Sequence, residues 1–298
     1  MTVTTTIVCS CASEKKWSEI DLIQEETPPN GVRIGDFYCD QTETTNFNWL
    51  EYMFWTKRTY GPKSKEYLQT QIDPLVWLDD DSCNIDLTKH YLRHPAYRDY
   101  PVVGISQNQA EQYSKWRSDR VFEYMLIRDG IIEYNDSQNE ENVFTIANFF
   151  SGKIERIDTV TRVSYYPEFS LPSSIDRKEI LEYADSLDKK YSSKYHSKHP
   201  RSKEISIIHS DITPCSEDST RRDPTRPVQS YYSPKRVNPI YDLRGNVSEW
   251  AKENSTTFGG SWGNEIEQIR SFDTIKASVA SKYIGFRNIC RYRKWGEK

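Results

Sequence analysis

The chain has 298 residues, a net charge of −4 and mixed signs along its length, with no basic footprint for nucleic acid. No apolar run is long enough to cross a membrane, and 36% hydrophobic with 28% charged residues is a globular composition. Twenty Tyr and eight Trp point to a core rich in aromatic rings whose polar ends need partners.

In chain order, residues 1–30 read as a tether and 31–298 as a single domain. Val8-Cys9-Ser10-Cys11 reads either as a degenerate lipobox with Cys11 lipid-bearing, or as an ordinary ragged terminus. Residues 33–39 alternate enough for one strand, and Thr45 opens a helix with Phe47, Leu50, Met53 and Phe54 at helical spacing. Gly61-Pro62 stops that helix. Asp79-Asp-Asp-Ser-Cys-Asn84 reads as a solvated acidic loop rather than a cation site.

Ser106-Gln-Asn-Gln109 is a capping box, and the helix behind it places Ala110, Tyr113, Trp116, Val121 and Tyr124 on one face. Ser173 and Asp176 cap a further helix carrying Ile175, Ile180, Leu181 and Ala184. Segments near 119–166 and 187–225 read as polar surface insertions whose low hydrophobicity argues against a second core. His90 and His94 share a face only if that segment stays helical, and Pro95 argues that it ends. His196, His199 and His209 with Asp211 lie in the Ser/Lys-rich insertion and read as an exposed loop rather than a metal site.

Six cysteines, Cys9, Cys11, Cys39, Cys83, Cys215 and Cys290, show no zinc spacing. In an exported chain Cys39, Cys83, Cys215 and Cys290 allow two disulfides in three connectivities; in a cytosolic chain they are small apolar residues.

Near the C-terminus stands Asn238-Pro-Ile-Tyr-Asp-Leu-Arg-Gly-Asn-Val-Ser-Glu-Trp250, followed by Gly259-Gly-Ser-Trp262 and Ile284-Gly-Phe-Arg287. Upstream, in order, come Phe37-Tyr-Cys-Asp-Gln-Thr-Glu-Thr-Thr-Asn46, Tyr100-Pro-Val-Val-Gly-Ile-Ser106, Phe169-Ser-Leu-Pro-Ser173 and Pro227-Val228. Together these blocks resemble the formylglycine-generating enzyme, or sulfatase-modifying-factor, family. The resemblance implies an α+β, C-type-lectin-like fold, loop-rich and low in regular secondary structure.

In that family two cysteines close behind Gly-Gly-Ser-Trp hold copper, a soft ion that wants thiolates. The positions aligned with them are Asn264 and Ile269, so no catalytic residue and no copper are expected. The resemblance also implies a structural Ca²⁺ on Asp242, Gly245, Val247 and Glu249; the other reading is turn-capping carboxylates paired with arginine. Arg287 reads as a buried arginine serving a carboxylate near Glu249, and Arg177 stands where the family has a tryptophan.

The blocks Glu51-Tyr-Met-Phe-Trp55, His94-Pro-Ala-Tyr-Arg-Asp-Tyr-Pro-Val-Val-Gly104 and Trp116-Arg-Ser-Asp-Arg120 resemble gliding-motility and type IX secretion lipoproteins of Bacteroidetes. The expectation is a non-catalytic binding or scaffold protein of the bacterial cell envelope. Its partners would be other envelope proteins, met through the two insertions, with membrane contact only through Cys11. The alternatives are an enzyme of the same fold with a changed cofactor, using a pocket near Asn264, Glu265 and Arg270, or a lectin-like recognition module.

Overall fold

The structure, a computed structural model, describes residues 26–78, 85–198, 225, 227–228, 239–264, 269 and 274–297, with the backbone alone for residues 85 and 188–198. The expectations for residues 1–25 of the tether, Cys9, Cys11, the acidic loop with Cys83, His196, His199, His209, Asp211 and Cys215 concern side chains outside those described, while Glu26 and Pro29, counted with the tether, dock on Tyr292 and Arg117.

Where one strand is expected near 33–39, the chain forms a hairpin of β1 (Gly31–Ile34) and β2 (Phe37–Asp40). Gly35 makes the turn at φ 55°, a left-handed conformation that costs glycine little. Helix α1 (Asn46–Tyr60) starts at Thr45, whose side chain caps Asn48 N–H while the Asn48 side chain accepts from the Thr45 N–H. Its inward face differs from the expected one. Trp49, Tyr52 and Met53 are buried and Leu50 packs beside them, whereas Phe47 and Phe54 stand exposed. Stacked and edge-on rings of Trp49, Tyr52, Tyr113 and Phe286 select that face.

Two short helices follow, α2 (Lys65–Gln69) and α3 (Ile85–His90). The long α4 (Gln107–Arg128) starts at the expected Ser106–Gln109 box. Ala110 and Tyr113 face inward as expected, but further along Phe122, Met125 and Leu126 are buried while Tyr124 is exposed. The reason lies in the next segment. Residues 131–150, including α5 (Ile146–Phe150), fold back so that Ile131, Ile132, Phe144, Ile146 and Phe149 close over α4. The 119–166 segment thus has an apolar cluster of its own, contrary to its reading as a coreless insertion. Its aromatic and branched residues flank the polar 135–142 stretch and converge on one spot.

Strand β3 (Tyr165–Ser170) leads to α6 (Ser174–Lys198), which starts at the expected Ser173–Asp176 box and runs well past residue 187. The remaining strands are β4 (Ser248–Trp250), β5 (Thr256–Phe258), β6 (Thr274–Lys276), β7 (Ile284–Gly285) and β8 (Ile289–Lys294). Among the described residues they form two four-stranded sheets, ordered β1-β2-β8-β3 and β6-β5-β4-β7. In the first, the β1-β2 hairpin pairs with β8, so segments about 250 residues apart in sequence meet in one layer.

That register separates two cysteines. Tyr38 pairs with Cys290 and Cys39 with Ile289, so the thiols leave opposite faces of the sheet into different clusters. Both are free, which removes the connectivity joining Cys39 to Cys290. Burial pushes the Cys39 thiol up to about 12, and it behaves as a small apolar residue.

Candidate functional site

The C-terminal signature folds into a loop that bends sharply before β4. Asp242, Gly245 and Asn246 all have positive φ, and Asp and Asn tolerate the left-handed region through local hydrogen bonds. The bend brings a group of charges into the interior. Glu43, Asp242, Glu249, Arg177, Arg287 and Asn246 are each at least nine-tenths buried.

Arg287 organises the group. Its Nε donates to Glu249 Oε1 at 2.7 Å, and one terminal nitrogen lies 2.6 Å from the same oxygen. The other N–H groups reach the carbonyls of Asp40, Gln41, Tyr241 and Asp242 at 3.1, 3.4, 2.8 and 3.4 Å. One guanidinium thus ties the end of β2, the signature loop and β4 together. This is the carboxylate-pairing role expected for it, with Glu249 itself as partner. Arg177 approaches Glu249 from α6 at 3.7 Å and donates to the Leu243 carbonyl. Gly259 is required here, since a Cβ would lie 2.7 Å from the Leu243 oxygen.

Glu43 closes the group from the other side. Its Oε1 accepts from the Asn246 amide at 3.0 Å, while Oε2 is buried without a hydrogen-bond partner. Burial pushes this carboxyl well above the usual range; Asp242 and Glu249 push the same way, and Arg287 opposes them. Glu43 therefore keeps its proton to higher pH, which shifts the local charge balance toward Arg177 and Arg287.

That balance bears on calcium. Asp242, Gly245 and Val247 lie in the loop and Glu249 follows on β4, and their oxygens are hard donors. Glu249, however, is engaged by Arg287 and faced by Arg177. A dication would add charge beside two guanidiniums where little water screens it. As arranged, calcium on these four residues would have to displace Arg287 from Glu249 Oε1. We expect the melting temperature to be unchanged by calcium and by chelator; a rise with calcium that chelator reverses would show the ion displacing Arg287.

Asn264 and Ile269, the positions that the resemblance sets against a cysteine pair, both serve local packing. Asn264 Oδ1 accepts from the Ser261 N–H at 2.9 Å and its hydroxyl at 3.0 Å, closing a turn. Ile269 is 2% exposed and packs on Gly260, where a Cβ would lie 3.0 Å from its side chain. Trp262 stacks at a tilt on Tyr283, with centroids 4.5 Å apart, under the Lys282 ammonium. Glu265 and Arg270 lie outside the described residues.

Two histidines that Pro95 was expected to separate come together. The His94 N–H donates to the His90 carbonyl at 2.8 Å, carrying the helical turn past α3, and the rings lie 5.9 Å apart. Both are exposed. Sequence reasoning missed Glu43 and Arg177. Glu43 sits beside an N-cap threonine and reads as surface; Arg177 appears as a mismatch. The available signal was that Glu43 lies inside a motif block and that Arg177 stands where the resemblance expects a tryptophan.

Residues 6–292 match the family described as the sulfatase-modifying factor enzyme 1-like domain. Among solved structures the chain is similar to CarF, at 16% identity and TM-score 0.45 over 89% of this chain and 95% of that one. It is also similar to PvdO from Pseudomonas aeruginosa, at 15% identity and TM-score 0.43 over 89% of each chain. A third is Treponema denticola variable protein 1, at 12% identity and TM-score 0.40 over 86% and 84%. No curated protein matches.

Proposed function

Since the chain belongs to the sulfatase-modifying factor enzyme 1-like family, we propose that it is a non-catalytic binding protein of the bacterial cell envelope. The observation that carries this reading is the pair Asn264 and Ile269. Oxygen-dependent formylglycine formation, as the family resemblance implies it, needs one thiolate pair to hold copper and to engage the substrate cysteine. Here an amide committed to the Ser261 turn and a buried branched alkane stand at those positions. Neither can ligate a soft ion or form a mixed sulfur bond. Cys39 and Cys290 cannot stand in, because both are buried in sheet layers away from that turn.

The envelope placement rests on the blocks around Trp55, Pro101 and Trp116 that resemble gliding-motility lipoproteins. One experiment has two readouts. Incubated with copper, oxygen and a sulfatase-type cysteine peptide, the protein should yield no aldehyde by mass spectrometry, and aldehyde would overturn the non-catalytic reading. In fractionated cells it should sediment with envelope membranes, and recovery in the soluble cytoplasm alone would overturn the placement.

A further inference from the structure

The 119–166 segment encloses a cleft of about 540 Å³ between the chain following α4, the turns near 135–142 and residues 153–157. That size lies within the usual range for ligand pockets, about 300–1,000 Å³. Glu123 forms part of its floor, held by Arg120 at 2.6 Å and by the Gln138 amide at 2.6 Å. Gln138 also accepts from the Phe144 N–H at 2.8 Å and donates to the Asn135 carbonyl at 3.2 Å. One side chain thus fixes both walls to α4. With the apolar cluster beneath, the cleft is shaped before any ligand arrives.

Around it stand Glu133, Asp136 and Glu155, all exposed, with Lys153 as the one cation of the lining. The exposed Tyr134 ring stands beside them. The sequence makes the same point independently. Residues 129–158 hold seven carboxylates against two basic side chains, a net −5, whereas the whole chain carries −4. All of the negative excess sits on this module, and the rest of the protein is close to neutral. A concave surface of one sign, walled by apolar side chains, focuses its field on a counter-charge. Of the basic side chains nearby, Arg120 is bound to Glu123 and to the Phe144 carbonyl, and Arg156 to its own loop.

We propose that this cleft binds a cationic group, an ammonium or guanidinium carried by a basic peptide segment or by a small polyamine. Glu133, Asp136 and Glu155 supply the charge, and Tyr134 offers a ring face to the cation. The site rests on the reading of the chain as a binding protein. It fails separately, since aldehyde formation would sink that reading without touching this cleft.

The test is calorimetric titration of the full chain at about 50 mM salt, where exposed charges are little screened. The probes are the capped peptide Arg-Lys-Arg-Lys, spermidine, and a capped tetraglutamine control. Wild type should bind one or both cations and not the control. The triple variant Glu133→Gln, Asp136→Asn, Glu155→Gln should bind them about tenfold more weakly, the size that three exposed ion pairs supply. Its residues are exposed, so its melting temperature should match wild type. Lys153→Gln is a second variant that removes the opposing cation and should tighten binding. Binding of the peptide alone identifies a protein segment as the source; binding of spermidine as well identifies any compact polycation. Absence of binding, equal binding of tetraglutamine, or affinities unmoved by either variant would overturn the proposal.

Discussion

Replacing Arg287 with methionine should destabilise the protein by about 3–5 kcal/mol, the cost of leaving a buried charge without its partner. Glu249 would lose its nearest cation, and Arg177, at 3.7 Å and bound to the Leu243 carbonyl, is placed too far off to substitute. The carbonyls of Asp40, Gln41 and Tyr241 would lose their donor at the same stroke. Adding Glu249→Gln should recover part of the loss, because the stranded charge is then gone while the carbonyls stay unserved. Urea denaturation of the single and double variants reads both effects. A loss below about 1 kcal/mol for Arg287→Met would place the pair among weak surface bridges and contradict the structure.

Replacing Glu43 with glutamine should remove a pH dependence of stability. The folded-state pKa of Glu43 is raised, chiefly by burial and next by Asp242. A raised carboxyl binds its proton more tightly in the native state, so its contribution is fully present below the unfolded value, about 4.3. It is then lost as pH rises toward the raised folded value. Within that window wild type should lose up to about 1.4 kcal/mol per pH unit from this group. Asp119 and Glu123 are shifted upward too, so the difference between wild type and Glu43→Gln isolates the one residue. Glutamine keeps an oxygen for the Asn246 amide and nearly the same volume. Stability measured by urea between pH 5 and pH 9 should therefore fall less steeply in the variant. Parallel curves would mean that Glu43 is ionised in the native state.

Much of the local structure is legible in the residues themselves. The Thr45, Ser106 and Ser173 caps start α1, α4 and α6, because a capping side chain and its N3 partner lie within one turn of backbone. The motif blocks name the α+β family. They also mark Arg287 as a buried partner for a carboxylate.

Other features depend on what lies across the fold. Phe47 and Phe54 have the right spacing for a core face and are exposed, because Tyr113 and Phe286 bring their rings to Trp49 instead. Helical periodicity states that a face exists, and only the partner selects which one. The 135–142 stretch of the 119–166 segment is wholly polar, yet three apolar residues of α4 and five beyond it form one buried cluster. An average over sequence cannot register convergence in space.

The sequence by itself determined the family and the helix starts, since each follows from residue identity or from contacts a few positions apart. Only the tertiary structure decided that Glu43, Arg177, Glu249 and Arg287 share one buried site, and that the acidic module closes around a cleft. Those charges come from positions up to 244 residues apart. Burial and pairing at such separations are set by packing, and packing sums contributions from the whole chain.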